Sequence, residues 1–121
     1  MNMNLDWQTR DALIFGAADA SPYDIKQFKG MSSETLARLV REGFADPEET
    51  QNEAPSIEKF LELAEQHPEM TFHGYVVSPT RPDYRVSVEG FDAPADEVLV
   101  NAYHYADEFE VQNGWLHTWW D

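Results

Sequence analysis

The apolar residues of this chain change their spacing near Pro68, and that change limits the folds open to it. Before Pro68 they recur at helical intervals. Trp7, Ala12, Leu13, Ile14 and Ala17 mark a first helix over 5–18, and Leu36, Leu39 and Val40 mark another. Ile57, Phe60, Leu61 and Ala64, at i, i+3, i+4 and i+7, mark a helix that ends before Pro68. After Pro68 the pattern turns to aromatic and β-branched residues over 71–77 and 84–91, with 78–83 connecting them.

Caps and turns refine the outline. Ser21-Pro22-Tyr23-Asp24 has the serine, first-turn proline and following acid of a helix start, which predicts a short second helix ending at Gly30. Ser32 or Ser33 caps the third helix, which stops at Gly43, and 45–55 reads as an acidic loop. In the second strand Tyr84, Val86 and Val88 alternate with Arg85, Ser87 and Glu89, predicting one buried and one polar face. Asp92-Ala93-Pro94 resembles a helix start, and Val98 to Tyr105 fits either a helical stripe or a strand. Asn113-Gly114, between 108–112 and 115–120, is the strongest hairpin signal in the chain.

The expected architecture is α+β: about four N-terminal helices followed by a β-β-α-β-β antiparallel unit. A helical half (1–68) and a sheet-containing half (69–121) would share one core in a single domain spanning 1–121. At 121 residues neither half has enough surface to bury to stand alone.

Composition bounds the function. Twenty-three carboxylates face eight basic residues, for a formal net charge of −15. A disordered acidic tail is poor in aromatics, whereas this chain has four Trp, five Tyr and seven Phe, so it reads as a folded domain. The acids are scattered and only Lys26, Lys29 and Lys59 are lysines, a pattern that fits adaptation to molar salt. An acidic face that meets a basic partner, or that mimics DNA as an inhibitor, is the other reading of the same charge. The chain has no cysteine, which removes disulfides, thiolate nucleophiles and thiol-bound metal. Its first residues lack the basic region and apolar core of a signal peptide, and no apolar run reaches membrane-spanning length. A soluble cytoplasmic protein without membrane partners is expected.

No glycine-rich phosphate fingerprint, GxSxG elbow or HExxH pair is present, so no catalytic residue is assigned. His67 suits a helix C-terminus. If the strands carrying His73 and His117 were neighbours, these two could share a face with Glu110 or Asp121 around a divalent metal. Ordinary surface or packed histidines are the simpler expectation, with neither metal nor cofactor. In the terminal strand Trp115, His117 and Trp119 alternate with Leu116, Thr118 and Trp120. Helices on both sides are expected to cover both faces. Should one face stay open, Tyr75, Arg85, Trp115 and Trp119 are its candidate contacts.

Tyr23-Asp24-Ile25, Phe28, the Gly30-Met31-Ser32 turn, Thr35-Leu36 and Arg38 together resemble the helix-turn-helix of lactose-repressor-type regulators, over 22–40. The resemblance implies DNA binding through 22–42, with Ser33, Glu34 and Arg38 presented to the major groove and Lys29 and Arg41 beside phosphate. Residues 21–43 carry four basic groups against three acidic ones, in contrast to the rest of the chain. Two expectations stand side by side. The first is a non-catalytic, salt-adapted protein that binds another protein; the alternative is a DNA-binding regulator.

Overall fold

The helix ends are written locally in the chain. In the computed structural model, which describes residues 3–17 and 23–121, helix α1 (Trp7–Phe15) is capped by Asp6 and stopped by Gly16 at φ 84°. Helix α2 (Ser33–Arg41) is capped by the Ser32 hydroxyl, which accepts from the Thr35 amide at 3.1 Å. Helix α3 (Ile57–Gln66) is capped in the same way by Ser56, and α4 (Glu97–Tyr103) by Asp96. Each capping oxygen satisfies an amide that the first turn leaves unpaired.

Five strands complete the fold: β1 (Ile25–Ser32), β2 (Thr71–Val77), β3 (Val86–Pro94), β4 (Glu108–Gln112) and β5 (Trp115–Trp119). They form one antiparallel sheet in the order β1-β2-β3-β5-β4. The β4–β5 hairpin turns at Asn113 (φ 53°) and Gly114 (φ 81°), the two positive φ angles that suit the right-handed strand twist. No helix among the described residues is long and apolar enough to cross a membrane.

The chain is α+β, but helices do not all precede the sheet. The helix expected from Ser21 to Gly30 is replaced by β1, which pairs with β2 from Ile25↔Val77 to Ser32↔Thr71. Ser21 and Pro22 lie outside the described residues. A strand wins here because β2 offers a free row of backbone groups, and pairing satisfies far more amides than one isolated turn of helix. Gly30 does not end a helix; at φ 65° it sits in a bulge that shifts the register between Phe28 and Met31. The first half of the segment that resembles a helix pair is therefore strand, and only its second half, α2, is helical.

Strand β3 also runs past its expected end. Asp92, Ala93 and Pro94 extend it by pairing with His117, Leu116 and Trp115, and the helix start falls instead at Asp96. The segment that fits either helix or strand resolves as α4. The predicted polar face of β3 is not solvated, since Ser87 and Glu89 are both buried.

The layers follow from four aromatic rings. Phe60 of α3 and Tyr103 of α4 both meet Phe91 edge-on, at 6.2 and 5.7 Å between centroids. Both also meet Trp120 edge-on. Helices α3 and α4 thus lie on the same side of the sheet, and α2 packs beside α3. The core gathers Leu36 and Leu39 of α2, Phe60 of α3, Phe72 and Val76 of β2, Phe91 of β3, Leu116 of β5 and Trp120 into one cluster. These contacts put α2, α3 and α4 on one side of the sheet.

One feature of α1 had no counterpart in the sequence reading. Arg10 and Asp11 are fully buried and joined at 2.9 Å. Arg10 also donates to the Val77 carbonyl (3.1 Å) and the Tyr23 hydroxyl (2.8 Å), and lies over the Tyr84 ring. Tyr23 in turn donates to Asp11 at 2.6 Å. Every charge is met, as burial requires.

Candidate metal centre

Alternation along a strand sends successive side chains to opposite faces. With Phe72, Phe91 and Leu116 turned into the core, His73, Asp92 and His117 point to the other face. Asp92 and His117 are direct partners across β3 and β5. His73 is paired with Gly90, two residues before Asp92, beside a bulge that makes Glu89 the extra residue.

The three side chains touch. Asp92 accepts from His117 Nδ1 at 2.7 Å through one carboxylate oxygen, and His73 Nδ1 stands 3.3 Å from the other. The two imidazoles stack with centroids 5.0 Å apart and planes 22° off parallel. That stacking spans the intervening strand, which is bare at Gly90. His73 is buried, its Nε2 has no hydrogen-bond partner, and Asp92 and His117 are partly exposed. Burial pushes the Asp92 carboxyl upward, but the two imidazole edges turned on it outweigh burial and hold it below its ordinary 3.8.

These groups line an open pocket of about 180 Å³. Glu89, Glu108, Lys29 and Trp119 form more of its wall. The Trp119 indole donates to Glu89 at 3.1 Å and meets the His73 ring edge-on, so Glu89 and His73 are both braced by one side chain. Neither thiol nor hydroxyl lines the pocket.

The residues singled out from sequence divide among several places. His73 and His117 do share a face, and Glu110 is the direct cross-strand partner of His117, but the third donor that groups with both imidazoles is Asp92. Among the described residues His73, Asp92 and His117 form the one group whose donor atoms lie close enough for a metal, all within 4.8 Å. Asp121 instead donates its amide to Asp107. Of the four aromatic-face candidates, Tyr75 and Arg85 engage each other, the guanidinium donating to the phenol oxygen at 2.7 Å. Arg85 also binds Asp83, and Tyr75 donates to Gln51. Trp119 is at the pocket, while Trp115 is about half exposed at the hairpin end.

Lys29 lines the pocket from β1. Ser33, Glu34, Arg38 and Arg41 lie on α2, in the helical layer, where Arg38 pairs with Glu42. His67 caps α3, and His104 contacts the Asn101 carbonyl at the end of α4. Sequence reasoning missed Asp92 and Glu89. Extending the antiparallel pairing of 71–77 past Phe91 would have kept Asp92 in the strand, opposite Thr71.

No protein-family model matches the chain, and neither a curated protein nor a solved structure is similar to it.

Proposed function

We propose that this protein is a binding protein that captures a small cation in the pocket on the sheet face opposite α3 and α4. The observation that carries this reading is the placement of both α3 and α4 on one side, leaving a concave, chemically distinct wall on the other. That wall presents three carboxylates (Glu89, Asp92 and Glu108) and two imidazoles against the single ammonium of Lys29. The balance favours a cation. The volume is small against the ~300–1,000 Å³ of sites for organic ligands, which favours an ion or a compact amine.

The test is a backbone-amide NMR titration of the whole chain in molar KCl. The ligands are calcium, zinc, guanidinium and short alkylammonium ions, each added separately. Shifts clustered on β2, β3 and β5 around His73, Asp92 and His117 support the reading. A spectrum unmoved at these residues by every member of the set overturns it.

A further inference from the structure

Resting on that binding reading, we propose that His73 Nδ1, Asp92 and His117 Nδ1 form a three-ligand site for a divalent transition metal of the zinc type. Three adjacent strands each contribute one donor: β2 the buried imidazole, β3 the carboxylate and β5 the partly exposed imidazole. Both rings turn the same nitrogen, Nδ1, toward Asp92.

One donor atom from each of the three residues lies within 4.8 Å of the others. Zinc sits about 2.0–2.2 Å from nitrogen and oxygen ligands, so tetrahedral donors stand about 3.4 Å apart. The His73–Asp92 separation is already 3.3 Å. The His117–Asp92 distance of 2.7 Å is to the other carboxylate oxygen, so coordination through one oxygen requires Asp92 to turn and the donors to separate toward that spacing. His117 is on the partly exposed side of the site, where such an adjustment meets least resistance.

Ligand chemistry selects the class of ion. Two imidazoles with one carboxylate suit zinc, cobalt, nickel or copper, whereas magnesium and calcium call for oxygen donors. Three protein ligands leave a fourth position on the pocket side, whose wall includes Glu89 and Glu108. Packing positions the buried ligand: Gly90 leaves room for the His73 ring, and Trp119 braces both that ring and Glu89.

The experiment uses the full chain, stripped with a chelator, in molar KCl with excess magnesium to occupy surface carboxylates. Cobalt(II) is added and followed by visible d–d absorption, and zinc is then used to displace it. One equivalent of cobalt with a tetrahedral or five-coordinate spectrum, displaced by zinc, is expected. His117→Asn should weaken binding at least about 100-fold, while His104→Asn leaves it unchanged. Because a variant can unfold, nitrogen-15 spectra of the wild-type histidines supply an independent readout. Zinc should move the Nδ1 signals of His73 and His117 and leave those of His67 and His104 in place. Equal binding by wild type and a folded His117→Asn variant, or unmoved His73 and His117 nitrogens, overturns the proposal. If organic cations shift the pocket but cobalt and zinc do not, the metal assignment falls and the binding reading stands. If nothing binds, both fall.

Discussion

Gly90 lies beneath the imidazole of His73, so close that a Cβ at residue 90 would stand 2.6 Å from His73 Nε2. The same Cβ would stand 2.0 Å from the Thr118 carbonyl oxygen on β5. The pocket therefore depends on a missing side chain in the strand between the two histidines. Gly90→Ala should push His73 off its stack with His117 and strain the β3–β5 contact, lowering stability by about 1–3 kcal/mol. Urea denaturation measures the stability change, and the histidine ring resonances report the displaced stack. An unchanged unfolding midpoint with unmoved ring signals would contradict this geometry.

The Arg10–Asp11 pair makes a second prediction. Both side chains are fully buried, so Asp11→Ala leaves a guanidinium without its carboxylate and should cost about 3–5 kcal/mol. Replacing both, as Arg10→Met with Asp11→Leu, should recover much of the loss, because an apolar pair has no charge to desolvate. A double-mutant cycle in urea checks the coupling. Additive losses would mean that the two residues act separately.

Alkaline pH should act through Tyr23. Burial first, and then its hydrogen bond to Asp11, push its phenol from 10.0 up to about 12. A folded-state value above the unfolded one favours the protonated form in the fold. The resulting stability is fully present below pH 10 and declines as pH rises toward 12. Unfolding midpoints measured from neutral pH to pH 11 should fall, and the fall should be shallower in Tyr23→Phe. Parallel curves for the two proteins would remove Tyr23 as a cause.

Salt should stabilise the protein. With a net charge of −15, self-repulsion is strongest at low ionic strength. The screening length shrinks from about 10 Å at 0.1 M to about 3 Å at 1 M. Melting temperature should climb steeply between dilute and molar potassium chloride. A flat profile would argue that the acidic residues are held apart well enough to ignore one another.

Local signals in the sequence determined the ends of α2 and α3, the β2 strand and the Asn113-Gly114 hairpin. Each depends on groups a few residues apart: Ser32 meets the Thr35 amide, Ser56 the Lys59 amide, and two positive φ angles make the turn. The alternation that separates His117 and Trp119 from Leu116 and Trp120 was legible for the same reason, since strand geometry fixes it residue by residue. Tertiary structure decided the rest. Ile25 and Phe28 have spacing that suits a helix, yet the open edge of β2 recruits them into β1. Asp92 looked like part of a helix start because Pro94 follows it, but pairing with His117 keeps it in a strand. The site exists because β5, arriving after α4, pairs with β3 and so stands one strand from His73. Which strands become neighbours, and which face the helices leave open, is set by the burial of apolar surface between distant segments, and nothing in the residues flanking His73 or His117 encodes that choice.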